Sequence, residues 1–249
     1  MSKNLRITLT LCLVAVLLLG AVWAYLSGTT EQKVNTLTFL GAEGIDAVLE
    51  EPLWDGGTID DPTAPVNPED PDLGKNKAKK IIPGCVVPKN PLIINTGVID
   101  EWVGMKLVFV DGEGALLTQA QMTELMRIIN INWNTAQWTQ IDAAAAIERA
   151  DTPVQYWLYK DCPLASDAAI YSAKSRTEAL FTTVTFPDDM TPADYQWLSG
   201  KAPLGDEGDI PAPVSGFQIL IKGAGIQADM LTVTTVVPEM HALLLPLLP

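Results

Sequence analysis

Short runs of alternating apolar and polar residues, separated by turn-forming residues, recur along most of the chain. A period of two places every second side chain on the same face of a strand, so each run predicts a strand with one buried face. The runs cover 44–50, 92–95, 102–110, 154–160, 169–174, 178–186, 217–223 and 226–237. Many short strands joined by turns predict a mainly β fold, an antiparallel β-sandwich, and within that class we expect a jelly roll.

Two stretches have helical rather than strand patterns. Thr118 and Gln121 form a capping-box pattern, which marks the first turn of a helix. The apolar residues that follow have helical spacing, and they are Met122, Leu125, Met126 and Ile129. A second helix is predicted over 139–150, because alanine, which occupies 143–146, has the highest helix propensity. We therefore expect a short helical insertion at 118–150.

The sandwich domain is expected to cover 44–237 and to be followed by a tail at 238–249. Within the domain, residues 52–74 are rich in acids and contain Pro62, Pro65, Pro68 and Pro71. Proline cannot donate to a strand ladder and acids stay hydrated, so this segment is predicted to be an exposed loop. Calcium binding is the alternative use of its acids, which include Asp60, Asp61, Glu69 and Asp70. Their spacing matches no EF-hand loop, so a solvated loop is favoured.

The N-terminus has the pattern of an export signal. Lys3 and Arg6 are followed by an uncharged apolar run that extends over 11–26, and Val22 and Ala24 place small or modest side chains at the two positions that a signal peptidase reads. A charged start, a short apolar run and such an exit are typical of a secretory signal peptide. We predict a signal at 1–24 with cleavage between Ala24 and Tyr25, and therefore a secreted protein.

A retained membrane anchor is the alternative, because 7–26 just supplies the roughly 20 apolar residues of a membrane span.

The chain without its predicted signal is more acidic than the whole chain. The whole chain has 16 Lys and Arg against 30 Asp and Glu, a net charge of −14, and two of those basic residues lie in the signal. Nucleic-acid binding needs a face rich in Lys and Arg, so this balance argues against it.

Export changes the interpretation of the cysteines. Cys12 would be lost with the signal, which leaves Cys85 and Cys162 in an oxidising compartment. A disulfide between them would close a long loop and stabilise the fold by roughly 4 kcal/mol. Two unpaired, buried thiols are the alternative, because a wide spacing in sequence specifies no geometry.

Several blocks of sequence follow one another in a characteristic order. They are 20–26, 34–38 and 45–54, then 82–84, 87–91, 95–97 and 102–109, then 156–159, 179–184 and 186–187, then 217–219 with 224–228. In this order the chain resembles the TasA and camelysin group, exported proteins of Gram-positive bacteria that a SipW-type signal peptidase processes. Cys85 and Gly225 depart from the group's pattern, and the tail after Pro238 matches nothing in it.

The resemblance implies a jelly-roll subunit of fibres in an extracellular or biofilm matrix, with no cofactor. In such fibres the mature N-terminus of one subunit adds as a strand to its neighbour, with backbone hydrogen bonds for affinity. The corresponding segment here is 25–43, in which Val34, Leu37 and Phe39 are the candidate donor residues, together with the strand 45–49. The alternatives are a flexible leader and pairing within the same chain.

The resemblance also brings an enzyme into question, since camelysin relatives have been labelled metalloproteases. The chain has no H-E-x-x-H motif, and His241 is its one histidine, whereas zinc catalysis commonly uses two or three. A Ser-His-Asp triad would also need His241, and no G-x-S-x-G is present. We predict no catalytic, cofactor-binding or metal-binding residue.

Three functions remain after these exclusions, in decreasing order of support. The first is a secreted structural subunit whose partners are further copies or other matrix proteins, with membrane contact only through an uncleaved signal. The second is a monomeric surface adhesin or binding module, and the third is a secreted protease. Three tryptophans are candidates for a binding surface, although core packing is the favoured use, and they are Trp133, Trp138 and Trp197.

Overall fold

The computed structural model describes seven ranges of the chain, which are 27–29, 44–56, 67–160, 163–166, 172–201, 210–229 and 231–248. The predicted signal peptide therefore lies outside the described residues. Within these ranges, no helix combines the length and apolar character that a membrane crossing requires.

The described elements are mostly strands. The strands are β1 (Ser27–Thr29), β2 (Ala47–Glu50), β3 (Val86–Pro88), β4 (Leu92–Asn95), β5 (Glu101–Asp111), β6 (Asn130–Ile131), β7 (Trp138–Ile141), β8 (Ala146–Ile147), β9 (Val154–Tyr159), β10 (Thr183–Thr185) and β11 (Phe217–Gln227). The helices are α1 (Pro52–Asp55), α2 (Gly74–Lys77), α3 (Gln119–Ile128), α4 (Pro192–Leu198) and α5 (Val233–Leu244). The predicted mainly β class is confirmed, with 31% strand against 20% helix.

The largest sheet has the order β1-β11-β5-β9-β7-β8, and its neighbouring strands are antiparallel. Its centre is the pair β5 and β11, which match along eleven residues from Asp111–Phe217 to Glu101–Gln227. The predicted inner face of β5 is buried, and its residues are Val103, Met105, Leu107 and Phe109. Alternation thus places a continuous apolar stripe on one side of the central strand.

A second layer covers this stripe. It consists of the sheet β3-β10-β6 and the antiparallel pair β2-β4. A bridge between Ile94 of β4 and Arg176 connects this pair to the segment before β10. Side chains of both layers form one apolar core, and its members from the second layer include Ala47, Leu49, Val87, Ile93 and Val184. Two antiparallel layers around one core are consistent with the predicted β-sandwich.

The first predicted helix is confirmed, but the second is wrong. Thr118 and Gln121 form the expected capping box at the start of α3. Residues 139–150 form the hairpin of β7 and β8, whose turn is closed by Asp142 Oδ1 accepting hydrogen bonds from the backbone N–H groups of Ala144 and Ala145. Pairing of β7 with β9 and burial of Trp138 outweigh the modest helix propensity of the alanines.

The strand predicted at 226–237 is also wrong, because β11 ends at Gln227 and α5 begins after Thr232. Thr232 and Thr235 form a capping box at its start. The buried residues of α5 recur at helical spacing, and they include Val236, Val237, Met240 and Leu244. Packing of this stripe on the outer face of the large sheet overrides the strand preference of its β-branched residues. Most of the predicted tail is therefore part of the domain.

Smaller differences concern the loops and the short strands. Only Thr183–Thr185 of the run 178–186 form a strand, and 172–174 form a turn, whereas 169–171 lie outside the described residues. The predicted loop 52–74 contains α1. In the turn after β4, Asn95 Oδ1 accepts a hydrogen bond from the N–H of Gly97.

A buried lysine fastens α5 to the sheet. Lys106 lies in β5 with 4% of its surface exposed, and its Nζ donates hydrogen bonds to the carbonyl oxygens of Leu245 (2.9 Å) and Leu248 (3.2 Å). These carbonyls follow the last turn of α5, where C=O groups have no N–H donor within the helix and carry negative partial charge. Gly104 permits the close approach, since a Cβ there would lie 2.7 Å from Met240 Sδ.

We expect Lys106→Met to lower the free energy of unfolding by about 1.5–3 kcal/mol, because the apolar stem is kept while two charge-assisted hydrogen bonds are lost. Urea unfolding at neutral pH measures the change. Lys222→Met is the matched control, because Lys222 lies directly opposite Lys106 on β11 and is only half-buried. Equal destabilisation by both substitutions would contradict the role assigned to Lys106.

Candidate functional site

One edge of the large sheet is only partly covered. On the side away from β5, β11 pairs with β1, and this pairing is confined to Ala224–Ile226. Among the described residues, no strand pairs with Phe217–Lys222 on that side. Alternate peptide groups of an antiparallel strand point away from its partner, so this part of β11 can accept another strand.

An apolar groove of about 890 Å³ runs along the uncovered part of β11. One wall is β11 itself, and the opposite wall is the second layer together with α1 and α4. Phe217 and Phe186 lie on the two sides, with ring centroids 6.3 Å apart. The apolar lining further includes Leu49, Trp54, Val87, Met190, Leu198, Ile219 and Ile221. The groove is thus open to solvent and is lined mainly by side chains that gain from being covered.

A buried ion pair lies in the groove wall. Lys89, just after β3, places its Nζ 2.8 Å from Glu51 Oε2, just after β2, and both side chains are largely buried. The ammonium of Lys89 also lies 4.5 Å from the ring centroid of Trp54. Burial raises the pKa of Glu51 although Lys89 opposes the shift. The second carboxylate oxygen of Glu51, Oε1, is buried without a hydrogen-bond partner, so it can accept a hydrogen bond from a bound segment.

Helix α4 supplies another part of the groove wall through Tyr195 and Leu198. Its start is held by Asp194, whose Oδ2 accepts hydrogen bonds from the N–H and the Oγ1 of Thr191 (both 2.8 Å). Arg127 of α3 forms an ion pair with Asp194 and another with Glu124 (2.7 Å). The ion pair between Arg127 and Asp194 therefore holds this part of the groove wall, α4, against α3.

The predicted donor residues lie outside the described part of the chain. This applies to Val34, Leu37 and Phe39, and also to the predicted cleavage site between Ala24 and Tyr25. Ser27–Thr29, in the same predicted segment, pair with β11 of their own chain. The strand 45–49 is not available as a donor, because β2 pairs with β4 and its inward side chains are buried.

The predicted disulfide stays a prediction. Cys85 lies just before β3 and is half-buried. Cys162 lies outside the described residues.

The predicted use of the three tryptophans in the core is confirmed. Trp138 and Trp197 are at most 1% exposed, and their indole N–H groups donate hydrogen bonds to the carbonyl oxygens of Glu178 (3.0 Å) and Pro211 (2.9 Å). Trp133 is partly buried and stacks on Trp157 with ring centroids 5.1 Å apart. None of the three lines the groove.

His241 lies on α5, far in the fold from the groove wall. Its ring meets that of Tyr156 edge to face, with centroids 4.5 Å apart, and burial lowers its pKa. Within the described ranges, no three His, Cys, Asp or Glu side chains form a group suited to a metal ion. The predicted absence of enzyme activity stays a prediction, as does the solvation of the acidic loop, since Asp60 and Asp61 lie outside those ranges.

Sequence patterns did not reveal the groove. Glu51, Lys89 and α4 are far apart in the chain, and an unpaired strand edge has no sequence signature of its own. The one available signal was the presence of Lys89 in the block 87–91 that carries the family resemblance.

Comparisons with known proteins returned no family model, no curated protein and no solved structure that matches the chain. The resemblance to the TasA and camelysin group therefore stays a prediction.

We expect Lys89→Met to destabilise the fold by about 3–5 kcal/mol at pH 7, because Glu51 is left as a buried and unpaired carboxylate. The loss of unfolding free energy relative to the wild type should become smaller as the pH falls from 7 toward 5. Burial raises the folded-state pKa of Glu51 above its unfolded value, and removal of Lys89 raises it further, so the folded state takes up a proton first and gains stability.

Urea unfolding at both pH values measures this effect. The double variant with Glu51→Gln should be more stable at pH 7 than Lys89→Met alone, since the buried charge is gone. Lys79→Met, an exposed lysine on the groove rim, is the control and should change stability by less than about 0.5 kcal/mol. A pH-independent deficit in Lys89→Met would contradict the prediction.

Proposed function

We propose that this protein is a secreted structural subunit of an extracellular or biofilm matrix, a TasA-like jelly roll that assembles by strand addition. Residues 30–43 of one copy would pair with the uncovered part of β11 of another copy. The observation that supports this most directly is that the edge of β11 at Phe217–Lys222, which no other described strand pairs, lies beside the apolar groove.

Strand addition suits both components of this surface. The peptide groups of β11 supply hydrogen bonds that do not depend on side chains, and the groove supplies apolar contacts for alternate residues of the added strand. The segment 34–39 contains Leu37 and Phe39, which share one face of an extended strand and would bury apolar area in the groove at about 25 cal/mol per Å². An exposed edge of this kind invites pairing with another chain unless it is covered.

The register of β1 indicates which of the candidate donor residues could face the groove. Gly28 lies opposite Gly225 and Thr29 opposite Ala224, so the same register continued along the chain would place Val34 opposite Ile219. Leu37 would then fall beyond Phe217 and on the opposite face from Val34. A shift of one residue in the pairing register turns every side chain of the added strand to the other face. Leu37 and Phe39 would therefore face the groove only in a register different from that of β1. A strand from another copy is not bound to the register of β1.

The pairing of β1 with its own chain also supports the second candidate, a monomeric surface adhesin or binding module. In that case residues 25–43 would stay with their own domain, and the groove would receive a different ligand. Assembly of the purified protein separates the two functions.

A complementation experiment tests strand addition. A donor-defective chain carries Leu37→Asp and Phe39→Asp, and a receptor-defective chain carries Ile219→Glu, a half-buried position in the groove. We expect the wild-type secreted chain to form filaments in electron microscopy and each variant alone to stay monomeric in light scattering. A mixture of the two variants should form dimers but no filaments, because one functional segment meets one functional edge.

Leu116→Glu is the matched control, since Leu116 is 51% exposed and lies outside the groove lining, and it should assemble like the wild type. Far-UV circular dichroism of Ile219→Glu separates lost folding from lost assembly. A monomeric wild-type chain, or unchanged assembly of a folded Ile219→Glu variant, would overturn the proposal.

The export part of the proposal has its own measurement. A mass spectrum of the secreted product should correspond to a chain that begins at Tyr25. A chain that keeps its first 24 residues and sediments with the membrane would instead establish the anchor. Comparison of the mass before and after reduction and alkylation shows whether Cys85 and Cys162 are bridged.

A further inference from the structure

A carboxylate without a partner is buried at the opposite end of β11 from the uncovered edge. Glu101, the first residue of β5, has 0% of its surface exposed, and neither Oε1 nor Oε2 has a hydrogen-bond partner. Asp46 lies just before β2, and its buried Oδ1 has no partner either. No Lys, Arg or His of the described chain forms an ion pair with either residue.

The position of Glu101 is determined by the backbone around it. Its N–H and its C=O pair with the C=O and the N–H of Leu164, at 3.0 and 2.8 Å. Its Oε2 occupies the space beside Gly225, because a Cβ at that residue would lie 2.1 Å from it. Any larger residue at 225 would displace the carboxylate, which gives a physical reason for the glycine that departs from the family pattern.

Asn95 lies near Asp46 and also contacts the residue that pairs with Glu101. Asn95 is buried, and its Nδ2 donates to the carbonyl oxygen of Leu164, the residue that pairs with Glu101. Its Oδ1 accepts one hydrogen bond, from the N–H of Gly97 (2.8 Å), and keeps a second lone pair. This Oδ1 and the backbone of Asp46 both lie within 3.2 Å of the position that a Cβ on Gly97 would take.

An unpaired carboxylate in a protein interior costs several kcal/mol unless a positive charge compensates it. Asp46 lies close enough to Glu101 for its negative charge to act on that carboxylate. A proton on Glu101 would remove one charge but would supply a single donor for three oxygens without partners. A cation satisfies all of these oxygens together.

We propose that Asp46 and Glu101 bind a calcium ion, with Asn95 Oδ1 as a further ligand. The donors are all oxygens, which hard divalent cations prefer. Calcium fits better than magnesium, because magnesium keeps several of its water molecules and Glu101 is enclosed. Asp46 is half-buried and gives the ion a path from solvent.

The ion would connect the two layers of the sandwich. Asp46 precedes β2 of the second layer, Glu101 begins the central strand of the large sheet, and Gly225 lies opposite Gly28 of β1. Calcium at this place stabilises the end of the sheet where the N-terminal segment joins it. This site is separate from the groove and does not depend on assembly.

Calcium binding is tested on the secreted chain after treatment with EGTA. We expect added Ca²⁺ to raise the melting temperature in a saturable manner, and terbium(III) luminescence, excited through the neighbouring Trp102, to report direct binding. Both signals should be lost, or shifted to at least tenfold higher ion concentration, in Glu101→Gln and in Asp46→Asn, which keep the side-chain shapes but remove the charges.

Glu51→Gln is the matched control, because Glu51 is also buried with one oxygen without a partner but is neutralised by Lys89. It should keep the calcium response of the wild type. If Glu101→Gln does not fold, Asp46→Asn and the wild-type titration still decide the outcome. Absence of a calcium response in the wild type, or a full response in Asp46→Asn or Glu101→Gln, would overturn the proposal.

Discussion

The eleven-residue antiparallel pairing of β5 and β11 is the constraint on which the rest of the structure depends. Its inner face carries the apolar stripe that the second layer covers, and its outer face receives α5. On the side of β5 the sheet continues through β9, whereas on the side of β11 the described residues continue it only through the three residues of β1. One strong pair therefore creates both the core and the uncovered edge beside the groove, since a strand that pairs fully on one side still has peptide groups on the other.

The buried charged residues Lys106, Lys89 and Glu101 differ in how their charges are compensated. Lys106 meets the carbonyl oxygens at the end of α5, and Lys89 meets Glu51 in the groove wall. Glu101 meets no positive group of the described chain. Because burial of an isolated charge is costly, the first two groups are explained by the fold itself, whereas the third points to a ligand from outside the chain.

The accuracy of the sequence-based predictions followed the strength of the local signal. β4 was predicted with its observed bounds, and the predicted strand 102–110 differs from β5 by one residue at each end. Both elements are runs of mainly apolar residues bounded by turn-forming residues, and both are buried on their two faces. Residues 139–150 and 226–237 were assigned from propensity, which spans about 1 kcal/mol or less per residue. Pairing of β7 with β9 and packing of α5 on the sheet exceed such differences, and neither contact is visible in a local window.

The sequence by itself determined the mainly β class, the apolar face of the central strand, the start of α3 and the core role of the tryptophans, because each of these follows from side-chain periodicity or local hydrogen bonding. Only the tertiary structure decided that Glu51 and Lys89 pair in a groove wall, that the charge of Asp46 acts on the buried carboxylate of Glu101, and that Phe217–Lys222 pair on one side only within the described ranges. These features join residues from distant parts of the chain, and the order of strands in a sheet is set by long-range pairing rather than by any local pattern.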